Sequence, residues 1–383
     1  MGTNGNGKKP PVLVVLQQSG GNDFMNTLVP YTNGVYYDTR PKVRIPEDQV
    51  LPMSDTLGFH PQAALFKEMY DNGNVAIVQG VGYPNSNRSH FRGMDIMHTC
   101  EPDRLVYEGW LGKAIRDLDP NGENVLTGMN FGRGLPRAMA AQDVPVTSIG
   151  DLDSYGLMTP IAEETQRNEA MQVFKEMYAP AIGTGPVMDY IRQTVVNVMG
   201  GADILKDVPG QYNSQVEYAA NPIAQSLRDV ARVHLAGLGS RIFYVIHGGT
   251  RGYDTHANEL PAHAVLWTDL SAAIMDFFQD LRDHNASEEV VMLVFTEFGR
   301  RMQDNGTGTD HGSGGGAFIV GDRVNGGLYG EYPPLDPSQW ERGEDLKHTI
   351  DFRGVYGTLI EQWMGLDATP IVSGSFEQIS PFK

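Results

Sequence analysis

Apolar positions along the chain fall into two rhythms. Continuous runs rich in β-branched residues occur at Val12 to Leu16, Val75 to Val81, Arg241 to Ile246, Val290 to Phe295 and Ala317 to Val320. Runs without polar alternation predict strands covered on both faces. They give way to segments such as SGGND (19–23), GYPNSNRSHF (82–91) and HGGTRGYDTHANEL (247–260). A 3.6-residue rhythm marks Ala63 to Tyr70, a stretch capped by Ser89 that runs through Met97, and the series Leu266, Leu270, Ile274, Phe277, Phe278 and Leu281. These are predicted helices. Strands alternating with helices predict an α/β fold with a mostly parallel central sheet flanked by helices, in which Val12 to Leu16 is a central parallel strand. A site is then expected in the loops at the carboxyl ends of the strands.

The stretch 160–235 has a different texture. EETQRNEAMQVFKEMY, VMDYIRQTVVNVMG and QVEYAANPIAQSLRDVARVHLAG are helical in period with no strand between them, so a helical insertion or cap is expected there. The first eleven residues, rich in Gly, Asn, Lys and Pro, read as a flexible tail. Residues 12–383 are read as a single domain carrying that insertion.

Charge narrows the partners. With 29 Lys and Arg against 47 Asp and Glu, the formal charge of −18 opposes nucleic acid and anionic membranes. An anionic substrate therefore needs local cations. Cys100 is the only cysteine, which excludes an internal disulfide framework and a thiolate-rich zinc site. No apolar run reaches the length of a membrane span and the start lacks a secretory signal. As it stands the chain reads as cytoplasmic; the oligomeric state is left open.

Candidate chemistry concentrates between 251 and 321. Asp254 and His256, two apart in RGYDTH, point to one side if the chain there is extended and so can share a metal. Glu297 ends the next strand in TEFGRR, where a carboxylate needs a cation; Arg300 or Arg301 would serve as well as a metal. Asp310 and His311 precede GSGGG, whose glycines permit close backbone approach to a ligand. From the amino-terminal half, Asp23 faces the same end of the sheet. Ser89, followed by His90, places a hydroxyl at a helix start, where the backbone favours a developing oxyanion. Ser86 is a competing nucleophile. Neither a P-loop, nor a dinucleotide fingerprint, nor GxSxG is present.

The segments GGNDFMNTLVPY, NRSHFRGMD, GYDTHAN, TEFGRR, GTDHG and TIDFRGVYGTLIEQWMG resemble the bacterial domain-of-unknown-function family numbered 1501 (DUF1501), related in fold to the alkaline phosphatase and sulfatase superfamily. The likeness runs from about residue 11 to 365. It implies an alkaline-phosphatase-like α/β fold whose strand-end loops hold divalent ions and a nucleophile at a helix start. Asp23, Ser89, Asp254, His256, Glu297 and His311 fall in the superfamily's order. One departure is clear: Glu297-Phe298 stands where the superfamily has Asp-His, so one metal is as well supported as two, and Zn, Mn, Mg and Ca are not distinguished. Many family members carry a twin-arginine leader, which makes export with a removed leader the alternative localisation.

The function implied is a metal-dependent hydrolase of a small phosphate or sulfate ester. Asp23, Asp254, His256, Glu297, Asp310 and His311 would bind metal and Ser89 would attack. His90 would position the ester or act as acid, and Arg88, Arg300 or Arg301 would clamp its oxygens. SNRSHF does not fit the C/S-x-P-x-R motif of the usual sulfatases, which favours phosphoesters. A metal-assisted mutase, isomerase or lyase on the same scaffold is a second reading, and a noncatalytic binding or structural protein a third.

Overall fold

The computed structural model describes residues 9–153, 161, 163–177, 201, 204–206, 208–249 and 252–383. Among these, nine strands form one sheet. In chain order they are β1 (Val12–Gln18), β2 (Val75–Gly82), β3 (Gly128–Phe131), β4 (Thr147–Ile149), β5 (Ile242–His247), β6 (Val290–Phe295), β9 (Gly315–Val320), β10 (Gly327–Tyr329) and β11 (Ile350–Asp351). A separate antiparallel hairpin, β7 (Arg300–Asp304) with β8 (Thr309–His311), lies between β6 and β9.

Across the sheet the order is β10-β2-β9-β6-β1-β5-β3-β4, with β11 also on β2. β1 is central and runs parallel to both neighbours, Leu16 lying opposite Val245 and Val294. β9 alone is antiparallel, pairing with β6 on one side and β2 on the other. The fold is therefore α/β with a mostly parallel, mixed central sheet flanked by helices. The reversal of β9 matters for the site. Its amino end, not its carboxyl end, lies where β1, β2, β5 and β6 finish, so Asp310 and His311 reach that edge by preceding a strand.

Period-two geometry divides the strands between two cores. Val12, Val14 and Leu16 of β1 join Phe243, Val245, Met292 and Val294 on one face, under helices Ala64–Asp71, Pro222–Leu235 and Glu259–Asp283. Leu13 and Val15 join Ile242, Tyr244, Leu293 and Phe295 on the other, under helices His90–Thr99, Trp110–Leu118 and Phe352–Thr358. Every side chain of β1 is buried, as continuous apolar strands require.

The five expected strands and the helices at 63–70, 89–97 and 266–281 are all present, the last starting earlier, at Glu259. In the expected insertion, Glu164–Met177 and Pro222–Leu235 are helical. VMDYIRQTVVNVMG and most of the amino-terminal tail lie outside the described residues. Among the described residues no helix is long and apolar enough to cross a membrane.

Candidate metal centre

Three glycine-bearing turns bring the site residues together. After β1, Gly20 and Gly21 take φ of +120° and +85°; a β-carbon on Gly20 would stand 2.3 Å from the Asp254 backbone nitrogen. Only glycine lets these two loops touch. After β5, Tyr253 N donates to Ser19 O at 2.8 Å, and Thr309 N donates to Thr255 O at 3.1 Å, lacing the second loop to the first and to the β7–β8 hairpin.

Arg300 is the hub of this junction. It is fully buried and donates to the carbonyls of Gly21 (2.7 Å), Thr309 (2.9 Å), Tyr253 (2.8 Å) and Gly20, and to Asp254 Oδ1 (2.9 Å). Its guanidinium is occupied by the protein and does not face an ester. The expected clamping role for Arg300 is thereby corrected: the carbonyl-rich turns need a buried donor with several N–H groups, and Arg300 is that donor. Arg88 is likewise held by Asp345 (2.7 and 2.9 Å) and Glu344 (3.1 Å), while Arg301 Nε donates to His311 O at 3.3 Å.

Three histidines share one pattern. His90, at the first turn of its helix, faces Glu297 Oε1 through Nδ1 at 3.0 Å. His256 faces Asp310 Oδ1 through Nδ1 at 3.0 Å. His311 faces the Arg88 carbonyl through Nδ1 at 2.7 Å. Each of these oxygens accepts, so each Nδ1 carries the hydrogen, and in a neutral ring Nε2 is left with a bare lone pair. The Nε2 atoms converge on Asp254. His256 Nε2 lies 2.8 Å from His311 Nε2; Asp254 Oδ1 lies 3.0 Å from His311 Nε2 and 3.2 Å from His256 Nε2. Asp254 Oδ2 lies 3.4 Å from His90 Nε2, a buried atom with no hydrogen-bond partner.

Lone pairs at these separations repel unless a cation lies among them. One proton serves one contact, whereas a divalent ion serves all of them. Donor atoms in a tetrahedral zinc site with bonds of ~2.0–2.1 Å stand about 3.3 Å apart, close to what is found here. Imidazoles oriented through Nδ1 by carboxylates and a carbonyl form the supporting shell that such ions use. His90, Asp254 and His311 offer ligand atoms that all lie within 4.8 Å of one another, a set that fits a divalent cation, and His256 adjoins it through Asp254 and His311.

Electrostatics agree. Burial would raise the Asp254 carboxyl, but the Arg300 guanidinium and the adjoining imidazoles outweigh it and hold the group at about 2. The hydrogen bond to Glu297 raises His90, while burial lowers His311. Phe298, where the resembled superfamily has histidine, packs against His311 and His90 with ring centroids 4.6 and 5.0 Å away, holding both rings in place.

Of the expected ligands, Asp254, His256 and His311 come together. Glu297 and Asp310 are adjacent but face the Nδ1 side, so they orient histidines. His90, expected to position the ester or act as acid, faces Asp254 as a donor. Asp23 is elsewhere. It caps the turn Phe24–Thr27, accepting from Asn26 N, and is ion-paired with the buried Arg40. Burial would raise its carboxyl, but Arg40 lowers it, while burial and the Asp23 charge push the neighbouring Glu259 well up. A buried carboxylate already neutralised by Arg40 has no charge left for a metal.

Ser89 is also displaced from its expected role. It is the helix N-cap and is exposed; its hydroxyl makes no capping bond, and it does not line the cavity beside the histidines. Ser86 is buried and does not line it either. That cavity, about 710 Å³, is lined by Gln17, Ser19, Gly20, Asp254 and Glu297, by His90 but not by His256 or His311, and by Arg92, Asp95, His98 and Arg137. Gln17 and Ser19 escaped sequence reading, although polar residues closing an apolar strand were the available signal. Arg92 and Arg137 carried no such signal.

The pattern of a family described as "Protein of unknown function (DUF1501)" matches residues 79–371. The chain belongs to the DUF1501 family. No curated protein matches it. Solved structures to which it is similar include a protein in the alkaline phosphatase superfamily from Vibrio parahaemolyticus, at 11% identity over 98% of this chain and 71% of that one, with a TM-score of 0.43. Another is PsFucS1 sulfatase from Pseudoalteromonas sp., at 11% identity over 97% and 71%, with a TM-score of 0.41. A third is the C-terminal periplasmic domain of EcEptC from Escherichia coli in complex with Zn, at 8% identity over 82% and 74%, with a TM-score of 0.38. What the DUF1501 pocket does therefore rests on its own residues.

Proposed function

We infer that this chain is a metal-dependent hydrolase of a small anionic ester, phosphate or sulfate, with one divalent ion held by His90, Asp254, His256 and His311. The observation that carries the reading is the convergence of three imidazole Nε2 atoms on Asp254 with every Nδ1 already engaged. When bound, the ion would polarise an ester oxygen and lower the pKa of an attacking one. The residues supply the rest. Glu297 and Asp310 fix the rings of His90 and His256. Arg300 keeps the three loops in register. Ser19, the hydroxyl that lines the cavity, is assigned the attack, since Ser89 stands outside the lining.

Turnover of a panel of phosphate mono- and diesters and sulfate esters tests this. Ser19→Ala is expected to abolish activity and Ser89→Ala to retain it. Loss in Ser89→Ala with retention in Ser19→Ala reverses the nucleophile assignment. A parent protein loaded with divalent metal that cleaves none of the panel overturns the hydrolase reading.

A further inference from the structure

The mouth of the cavity has a chemistry its floor does not. Phe91 is 91% exposed, Tyr107 86% and Leu105 76%, the largest exposures among the apolar side chains described, and Leu135 is 49% exposed. Single exposed hydrophobes are ordinary on a protein surface. Here Phe91 and Leu105 line the cavity itself, Leu105 and Tyr107 share the adjoining groove, and Leu135 lies two residues before the cavity residue Arg137. Clustered exposed apolar surface beside a polar site marks a binding surface.

The mouth is held in position. Arg92 Nη2 donates to the carbonyls of Glu101 (2.9 Å), Pro102 (2.8 Å) and Arg104 (3.0 Å), and Arg104 donates to Glu101 at 2.6 and 2.9 Å. These bonds fix the loop that presents Leu105. A surface already ordered loses little entropy when a ligand lies on it.

Arg137 lines the same cavity as Phe91 and Leu105. Two arginines, Arg92 and Arg137, bracket the single carboxylate of Asp95, leaving one positive charge in excess. Arg92 is engaged by the loop carbonyls. Arg137, whose side chain is 42% exposed, makes one described hydrogen bond, to Asp95, and so keeps N–H groups for a ligand. In a chain of net charge −18 this is the local cation an anion requires.

We propose that the cavity selects amphiphilic anions: phosphate or sulfate esters of an aryl or alkyl alcohol, with the anionic head between His90, the histidine of the cluster that lines the cavity, and Arg137, and the apolar leaving group across Phe91 and Leu105. This rests on the ester reading above but concerns a different set of residues. An anionic bilayer or a second copy of the chain is opposed by the net charge.

Calorimetric titration of the full chain, supplied with zinc, with phenylphosphonate and methylphosphonate tests the assignment without turnover. Phenylphosphonate is expected to bind about tenfold tighter or more, from burial of the ring. Phe91→Ser and Leu105→Ser, both at exposed positions that do not support the core, should each reduce that advantage while leaving methylphosphonate affinity unchanged. Arg137→Gln should weaken both ligands. Equal affinity for the two ligands, or an advantage that survives both serine variants, overturns the proposal while the metal reading stands. Aryl selectivity that persists after chelation of the metal upholds it and counts against the metal reading. Binding of neither phosphonate overturns both. A change in oligomeric state on Phe91→Ser with phosphonate affinities unmoved reassigns the patch to a self-contact and overturns it.

Discussion

Replacing Arg300 by methionine isolates the residue on which the site's architecture depends. Methionine keeps much of the buried volume and removes every donor, leaving the carbonyls of Gly20, Gly21, Tyr253 and Thr309 and one oxygen of Asp254 without their partner. Breaking a buried charge pair costs about 3–5 kcal/mol, and each buried acceptor left unsatisfied adds up to roughly 1–3 kcal/mol unless water reaches it. Asp254 is itself part-exposed, so its share is small, and the four carbonyls at about 1 kcal/mol each make up an expected total of about 3–5 kcal/mol. For 383 residues an unfolding entropy near 2 cal/mol/K per residue gives about 0.8 kcal/mol/K, so the melting temperature should fall by roughly 4–6 °C. Calorimetric melting measures it. Because the same bonds hold the loops of Asp254 and His311, metal affinity should fall as well. An Arg300→Met protein that melts within a degree of the parent, and loses only its affinity for ester, would refute the hub and restore Arg300 as a substrate clamp.

Other outcomes follow from the same geometry. Gly299→Ala puts a β-carbon 1.9 Å from the Gly314 carbonyl oxygen, backbone against backbone; a loss of about 1–3 kcal/mol is expected from overpacking, read from the denaturant midpoint. His60 is buried, and burial, with the neighbouring His263, lowers its pKa to about 3. An unfolded histidine binds its proton near 6.5, so below that pH the unfolded chain takes up a proton that the folded one refuses, and stability is lost as pH falls from about 6.5 towards 3. His60→Asn, whose side-chain oxygen can replace Nδ1 as acceptor of Gln62 N, should reduce the loss between pH 7 and pH 5 by up to about 2 kcal/mol. Denaturation midpoints at the two pH values measure it, and an unchanged difference would show that His60 does not titrate in that window.

The main strands were legible because each is covered on both faces and must be continuously apolar; Val12 to Leu16 and Val290 to Phe295 carry that signature without ambiguity. The short edge strand Thr147–Ile149 and the four-residue Gly128–Phe131 do not, and neither was visible in advance. That Asp254, His256 and His311 gather at one site was legible too, since they sit in glycine-rich loops after or before apolar strands. Ligand roles were not. Whether Glu297 faces a metal or the Nδ1 of His90 depends on a contact across 207 positions of sequence, and whether Asp23 is available depends on where Arg40 lands. Arg137 reaches the cavity only because Ala138 and Met139, the next two residues of its single helical turn, are buried. Such pairings are made by the packing of distant elements, and no local pattern records them.

The site proposed for His90, Asp254, His256 and His311 holds one divalent cation. Metal analysis of protein purified without chelator, with calorimetric titration of the metal-free form, tests it most directly. One divalent ion per chain is expected, its binding weakened by about 10–100-fold or more when His256 or His311 is replaced by alanine, and weakened less by Asp310→Asn, which keeps an oxygen for the His256 Nδ1–H. A chain that takes up no stoichiometric Zn, Mn, Mg or Ca, and binds no more of them than its His311→Ala variant, would contradict it.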